Sequence, residues 1–374
     1  MRKPKDNNTL AFLVFVRAGL WRQEAIFSEK TTFDFDKVYS LAQEQSVVGL
    51  VAEGLESVKD LVLPKEKILP FIATALQLEK SNIAMNSFIV RLYNELKKEG
   101  IFSLLVKGQG IAQCYNRPLW RACGDIDLLL DRDNYVKARN VLSSKARIIE
   151  EENENTLHLA MSFDRWSVEL HGTSRSELWR ALDRKLDFFH NEICRANSGR
   201  FWDDGGIEVP LPDPNNDVIY VFNHILQHFF KGGVGLRQLC DWCRLLWFYK
   251  DEIDEQLLAN CIKTMDLISE WRAFAALSVE WLGMSKDVIP LYSEEKKWKR
   301  KALRILEFIL ETGNFGHNRE KQYKNKYPYL VCKLISFWFN TRDSIRHSLI
   351  FPLDSVRVWW NRLIIGIITV IKGK

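Results

Sequence analysis

Between residues 121 and 130 the chain reads Arg-Ala-Cys-Gly-Asp-Ile-Asp-Leu-Leu-Leu, and the two acids in this apolar run constrain the fold more than any other feature. Carboxylates are seldom built into a strand-forming, core-bound segment unless something compensates their charge. Strand side chains alternate between faces, so Asp125 and Asp127 share one face while Ile126, Leu128 and Leu130 point to a core on the other. Residues two apart on a strand have backbones roughly 6.5–7 Å apart. That spacing lets two carboxylates reach one Mg²⁺ ion, or two ions about 3.5–4 Å apart. The pattern reads as a metal and phosphate site.

The flanks extend this reading. Residues 101–106 form a short apolar run bounded by Gly100 and by Lys107-Gly108-Gln109-Gly110, which suits a buried strand followed by a tight turn. Residues 110–115 then read as a short helix ending before Arg117-Pro118. A strand, a glycine turn and a helix N-terminus together hold phosphate through backbone N–H groups, with a plain turn as the alternative. A third acid stands in Trp166-Ser-Val-Glu-Leu-His171, where Trp166, Val168 and Leu170 share one face and Ser167, Glu169 and His171 the other. If this strand lies beside the first, three carboxylates converge, and their repulsion calls for a cation.

These residues carry a family resemblance. Lys107-Gly108, Gly124-Asp125-Ile126-Asp127 and Val168-Glu169-Leu170 resemble the signature of the DNA polymerase β-like nucleotidyltransferase superfamily: a glycine turn, an acid-x-acid strand and a later single acid on a strand. More narrowly, Val106-Lys-Gly, Tyr115, Arg117-Pro118, Arg121, Gly-Asp-Ile-Asp and the later Glu-Leu-His resemble an uncharacterised bacterial nucleotidyltransferase family, over roughly residues 100–172. Gly235-Leu-Arg237-Gln-Leu-Cys-Asp241 is similar to the Gly-x-Arg-x-x-x-Asp segment of that family's helical half. The superfamily turn usually reads Gly-Ser or Gly-Gly, and Gly108-Gln109 lacks that serine hydroxyl.

The resemblance implies an enzyme dependent on Mg²⁺ (or Mn²⁺) that moves an NMP from an NTP to an acceptor hydroxyl and releases pyrophosphate. Asp125, Asp127 and Glu169 are the expected catalytic metal ligands. Lys107, Gly108, Gln109, Arg121 and Gly124 are the expected nucleotide-binding set, although Lys107 and Arg121 also read as solvated basic side chains. A catalytically weak nucleotide-binding or protein-interaction module on the same fold is the alternative. A phosphohydrolase using the same acids is a third.

Further candidates line an expected substrate cleft. His171 shares the face of Glu169, where it would orient the acceptor or act as an auxiliary base. His224 and His228 stand four apart on an expected helix without the following Glu of a zinc-protease motif, which leaves cleft lining, substrate contact or zinc. Arg237 and Asp241 read as a surface ion pair or as cleft residues. Cys240-Asp-Trp-Cys243 reads as helical core, and Lys231-Gly-Gly-Val-Gly235 as a turn between helices.

Patterning predicts an α+β fold, a small mixed β-sheet core flanked by N-terminal helices and an all-helical C-terminal domain, and the resemblance implies that this core is a nucleotidyltransferase one. The expected divisions are a helical region at 1–96, the α+β core at 97–212 and the helical domain at 213–374. Helical spacing runs through 71–96, with Pro64 and Pro70 marking its start. Strands are expected at 101–106, 126–130, 146–150, 157–162 and 166–171, and a helix at 134–143. An Asp-Gly hairpin is expected at 201–209, then a linker at Pro210, Pro212 and Pro214. Helices are expected at 218–230, 236–249 and 257–282.

Composition narrows the partners. A net charge of +5 admits an anionic substrate such as an NTP, but no dense basic stripe favours nucleic acid. The sequence does not identify the acceptor: a small molecule or a protein is expected, with an RNA end the less favoured alternative. Seven irregularly spaced cysteines do not make a disulfide framework. Met1-Arg-Lys-Pro-Lys5 and the apolar residues 10–16 superficially resemble a secretory signal, but Arg17 interrupts the run and no cleavage site follows. A first helix of a cytoplasmic protein is therefore expected. Residues 363–371 are strongly apolar yet too short to span a bilayer. They are expected to pack on the domain or a partner, with membrane-surface contact beside Lys372 and Lys374 the lesser alternative.

Overall fold

In a computed structural model, which describes residues 6–27, 32–59, 63–195, 200–204, 206–316, 318 and 327–371, the acid-bearing run becomes a strand of a mixed five-stranded sheet. Helices α1 (Asn7–Trp21), α2 (Phe35–Glu44), α3 (Val48–Leu55) and α4 (Lys65–Lys98) come first. The sheet region comprises β1 (Leu104–Val106), α5 (Gly108–Ala112), β2 (Asp125–Leu129), α6 (Arg132–Ser143), β3 (Ile148–Ile149), β4 (His158–Phe163) and β5 (Trp166–His171). Helix α7 (Arg180–Arg195) and the hairpin of β6 (Phe201–Asp204) and β7 (Ile207–Pro210) follow. The remaining helices are α8 (Pro214–Lys231), α9 (Leu236–Phe248), α10 (Glu255–Met265), α11 (Ile268–Leu282), α12 (Lys296–Thr312), α13 (Tyr329–Ser348) and α14 (Pro352–Ile371). The fold is α+β, as expected.

The strand order is β1-β2-β5-β4-β3. Strands β2 and β5 run parallel, and the other neighbours are antiparallel. A parallel pair cannot be joined by a hairpin; its crossover here carries α6, whose first turn is capped by Asp131 accepting from the Asn134 amide. The alternation read from the sequence holds. Ile126, Leu128, Leu130, Val168 and Leu170 pack in one cluster with Tyr135, Ala138 and Leu142 of α6 and Met85, Ile89 and Leu92 of α4. The acid face turns the other way, toward the C-terminal helices.

Those helices share their core with the N-terminal ones. Phe12 and Phe15 of α1 lie in the same buried cluster as Phe222, Phe229, Trp242, Trp271 and Phe274. The rings of Phe222, Trp242 and Trp271 meet pairwise at centroid distances of 5.3, 4.8 and 4.8 Å. Each such pair adds about 0.5–1.5 kcal/mol beyond its area burial. Helices α1 and α3 cross on glycine: a Cβ at Gly19 would stand 2.0 Å from the Leu50 carbonyl oxygen, and one at Gly54 2.1 Å from that of Phe15.

Several expected boundaries move. Pro70 lies inside α4, not at its start, where it removes one backbone bond from a 34-residue helix. Pro214 opens α8 behind the Asp213 cap, so the expected linker is shorter and the helix earlier. The helix expected at 257–282 is two, broken by Asp266 in the left-handed region at φ 61°. Helix α7 was not expected, although its buried face (Leu182, Leu186, Phe189, His190, Ile193) has helical spacing. The hairpin forms, with Gly205 of its turn outside the described residues.

Cys240 and Cys243 are fully buried core residues. Among the described residues no helix is long and apolar enough to cross a membrane. Ile364, Ile365, Ile367 and Ile368 of α14 remain 43–51% exposed, so this part of the apolar segment packs only partly on its own chain. Met1 to Lys5, Lys372 and Lys374 lie outside the described residues.

Candidate active site

The parallel register of β2 and β5 sets Asp127 opposite Glu169 and Asp125 opposite Ser167. One carboxylate oxygen from each of Asp125, Asp127 and Glu169 lies within 4.8 Å of the others. Asp127 is only 1% exposed, and two groups reach it: Lys107 Nζ at 2.6 Å and His171 Nε2 at 2.7 Å. Glu169 Oε2 lies 3.1 Å from His158 Nε2 and 3.6 Å from His171 Nε2. His158 and His171 are direct partners across β4 and β5.

Lys107 stands at the corner between β1 and α5 with φ 58°, a conformation that costs a non-glycine residue of order 1–3 kcal/mol. The following Gly108 also has positive φ, at 38°, and a Cβ there would come 3.3 Å from Cys123 Sγ and 3.4 Å from the Asp125 carbonyl oxygen. This close approach presses the corner against the start of the acid strand. It aims Lys107 at Asp127.

The electrostatics follow from that crowding. The negative charge of Asp127, and then burial, push the Asp125 carboxyl up from its ordinary value, with Lys107 opposing. Burial would raise Asp127 as well, but contact with Lys107 and His171 holds it well below the usual carboxylate range. Glu169 is likewise held down against burial, first by the His158 hydrogen bond. That bond raises His158 in turn. Three acids therefore face one lysine and two histidines, with residual repulsion expressed at Asp125. All-oxygen donors with unmet negative charge fit a hard divalent cation such as Mg²⁺.

A cavity of about 340 Å³ opens over this face, lined by Lys107, His158, Glu169, His171 and, from α8, Tyr220, His224 and His228. A smaller pocket of about 30 Å³ behind Lys107 touches Gly108, Asp125, Asp127, His224 and Arg237. The two α8 histidines meet at a ring distance of 4.3 Å. Burial, reinforced by Lys107, pulls His228 down to about 4 and His224 well below its ordinary value, so both are neutral at physiological pH. They line the cavity. Among the described residues neither belongs to a cluster suited to a metal.

The structure therefore gathers Asp125, Asp127, Glu169, Lys107, Gly108, His171, His224 and His228 at one place. Gly124 directly precedes the acid strand, in open space. Two members of the expected nucleotide set are held by other side chains, while Arg121 also lines the smaller pocket beside Asp125 and Asp127. The Gln109 side chain is 1% exposed and donates to Asn82 Oδ1 of α4 at 2.8 Å, pointing into the core. Arg121 makes a two-pronged pair with Asp241 at 2.8 and 2.7 Å. Asp241 also accepts from the Tyr115 hydroxyl at 2.7 Å, and Arg237 stands 3.7 Å away. Asp241 is buried, so its pairing with Arg237 is not a surface one; both residues line the smaller pocket, and Asp241 is the counter-ion that ties α9 to the segment before β2.

Sequence reading missed His158 and Tyr220. For His158 a signal existed: it is a polar residue at the head of an apolar strand next to the His171 strand. Its pairing with His171 depends on register, which no local pattern encodes.

A family described as an uncharacterised nucleotidyltransferase matches residues 31–283, more than half of the 374 residues. Neither the curated proteins nor the solved structures give a match.

Proposed function

The chain belongs to the uncharacterised nucleotidyltransferase family, and on that premise we propose that it moves an NMP from an NTP to an acceptor hydroxyl in a Mg²⁺-dependent reaction. Asp125, Asp127 and Glu169 would hold the metal. When bound, that ion supplies the positive charge that neutralises the triphosphate.

The chain's own residues do the rest. Lys107 borders both the 340 Å³ cavity and the acid pair, so its ammonium serves the phosphate oxygens of the nucleotide. Glu169 reaches the cavity as an ionised carboxylate oriented by His158, and it takes the proton of the acceptor hydroxyl. The acceptor oxygen then bonds to the α-phosphorus, the bond from that phosphorus to the bridging oxygen breaks, and pyrophosphate leaves. His171 holds Asp127 in position through its 2.7 Å contact. The 97–212 unit supplies the acids, while α8 of the 213–374 unit walls the cavity where the acceptor, a small molecule or a protein, would lie.

The observation that carries this reading is the convergence of three carboxylates within 4.8 Å beside a cavity, in a chain of this family. Pyrophosphate release from each NTP with Mg²⁺, measured with candidate acceptors, tests it. Asp125→Asn and Asp127→Asn are each expected to lower the rate at least about 100-fold, the scale seen when one charge-stabilising group is removed. Parental rates in either variant sink the assignment. Mg²⁺-dependent NTP binding without pyrophosphate would favour a binding module.

A further inference from the structure

Beside the carboxylate group, and sharing Glu169 with it, lies a second donor set that offers nitrogen as well as oxygen ligands. The β4–β5 register puts His158 directly across from His171, and alternation puts Glu169 on the same face. One ligand atom from each of His158, Glu169 and His171 lies within 4.8 Å of the others. Both imidazole Nε2 atoms approach the same carboxylate oxygen, Glu169 Oε2, at 3.1 and 3.6 Å. The ring centres are 4.9 Å apart. All three side chains open onto the 340 Å³ cavity.

We propose that His158, Glu169 and His171 form a transition-metal site that takes Zn²⁺ and is joined through Glu169 to the all-oxygen site on Asp125 and Asp127. The donor chemistry separates the two. Mg²⁺ binds oxygen ligands and keeps much of its water, whereas two imidazoles and one carboxylate are a ligand set of catalytic zinc. Three protein donors leave a coordination position for water or for an oxygen ligand arriving from the cavity.

Placing His171 Nε2 on zinc gives up its contact with Asp127, which keeps Lys107 at 2.6 Å. Positive charge at Glu169 also relieves the three-acid repulsion without help from a nucleotide. The inference rests on donor atoms and shares Glu169 with the nucleotidyl-transfer reading, but its test does not depend on that reaction.

The test uses the full chain, stripped with a chelator and titrated with Zn²⁺ alone against a chromophoric indicator, with millimolar Mg²⁺ present. One Zn²⁺ per chain is expected. His158→Gln and His171→Gln are each expected to weaken it more than about 100-fold, beyond the 10–100-fold that losing a mere orienting partner costs. Asp125→Asn, outside the donor set, is expected to stay within about 10-fold of the parent.

Absence of stoichiometric Zn²⁺ binding overturns the site, as does a His158→Gln chain that binds like the parent. Equal loss in Asp125→Asn also overturns it, because the metal would then sit on the aspartates. Should a histidine variant fail to fold by circular dichroism, Co²⁺ loading of the parent chain decides. Visible bands of imidazole-ligated, low-coordinate Co²⁺ support the site, and the weak spectrum of an all-oxygen octahedral ion refutes it. None of these readouts uses an NTP, so the transferase reading stands or falls separately.

Discussion

Replacing Asp241 with Asn tests whether Arg121 belongs to the scaffold or to nucleotide binding. The Arg121 guanidinium donates to both carboxylate oxygens of Asp241, at 2.8 and 2.7 Å, and the two side chains are only 3% and 5% exposed. Burial alone would depress the Arg121 guanidinium, and Asp241 reverses that and raises it; Arg121 in turn holds Asp241 below its ordinary value against burial. Asparagine preserves the shape but leaves a guanidinium out of water without its counter-ion. The neighbouring Arg237, 3.7 Å from Asp241, carries the same sign and offers no compensation. Breaking a buried pair from one side costs about 3–5 kcal/mol. Folded domains are stable by only about 5–15 kcal/mol, so the loss is a large share of the total.

Urea unfolding followed by far-UV circular dichroism reads this loss as a lower midpoint. The double variant Arg121→Met/Asp241→Leu removes both charges and is expected to recover most of it, since apolar replacement of a buried pair is often neutral or stabilising. A loss below about 1 kcal/mol for Asp241→Asn would refute the argument. A double variant no more stable than the single would refute it too.

Three further outcomes are expected. Gly54→Ala puts a methyl where the Phe15 carbonyl oxygen lies 2.1 Å away, so α1 and α3 must part; a cost of about 1–3 kcal/mol is expected, and an unchanged urea midpoint would contradict the close crossing. Gln109→Ser, which restores a serine to the turn, leaves Asn82 Oδ1 without its donor; it is expected to cost about 1–3 kcal/mol and to leave Mg²⁺–NTP affinity unimproved in calorimetry. Because burial, and then Lys107, pulls His228 to about 4, the unfolded chain takes up this proton first as pH falls below about 6.5. Stability is therefore expected to be unaffected by this group above about pH 6.5 and to drop by up to about 3 kcal/mol toward pH 4. His228→Gln should flatten that drop, and equal slopes in parent and variant would show that the histidine is not held neutral.

What the chain encodes locally was legible without coordinates. A period of two in 166–171 specified β5 to the residue and assigned Glu169 and His171 to one face, because strand geometry leaves a side chain only two directions. The same alternation set Asp125 and Asp127 apart from Ile126 and Leu128. Helix α7 is equally encoded, by the apolar spacing of Leu182, Leu186, Phe189 and Ile193.

Tertiary structure decided which local elements meet. It placed β5 beside β2 so that Asp127 faces Glu169, brought His158 across to His171, and paired Arg121 with Asp241 over 120 residues of chain. It also turned Gln109 into the core while its neighbour Lys107 was aimed at the acids. Side-chain periodicity follows from the geometry of a few adjacent residues, whereas partner choice follows from the summed packing of distant segments, to which no short stretch of sequence has access.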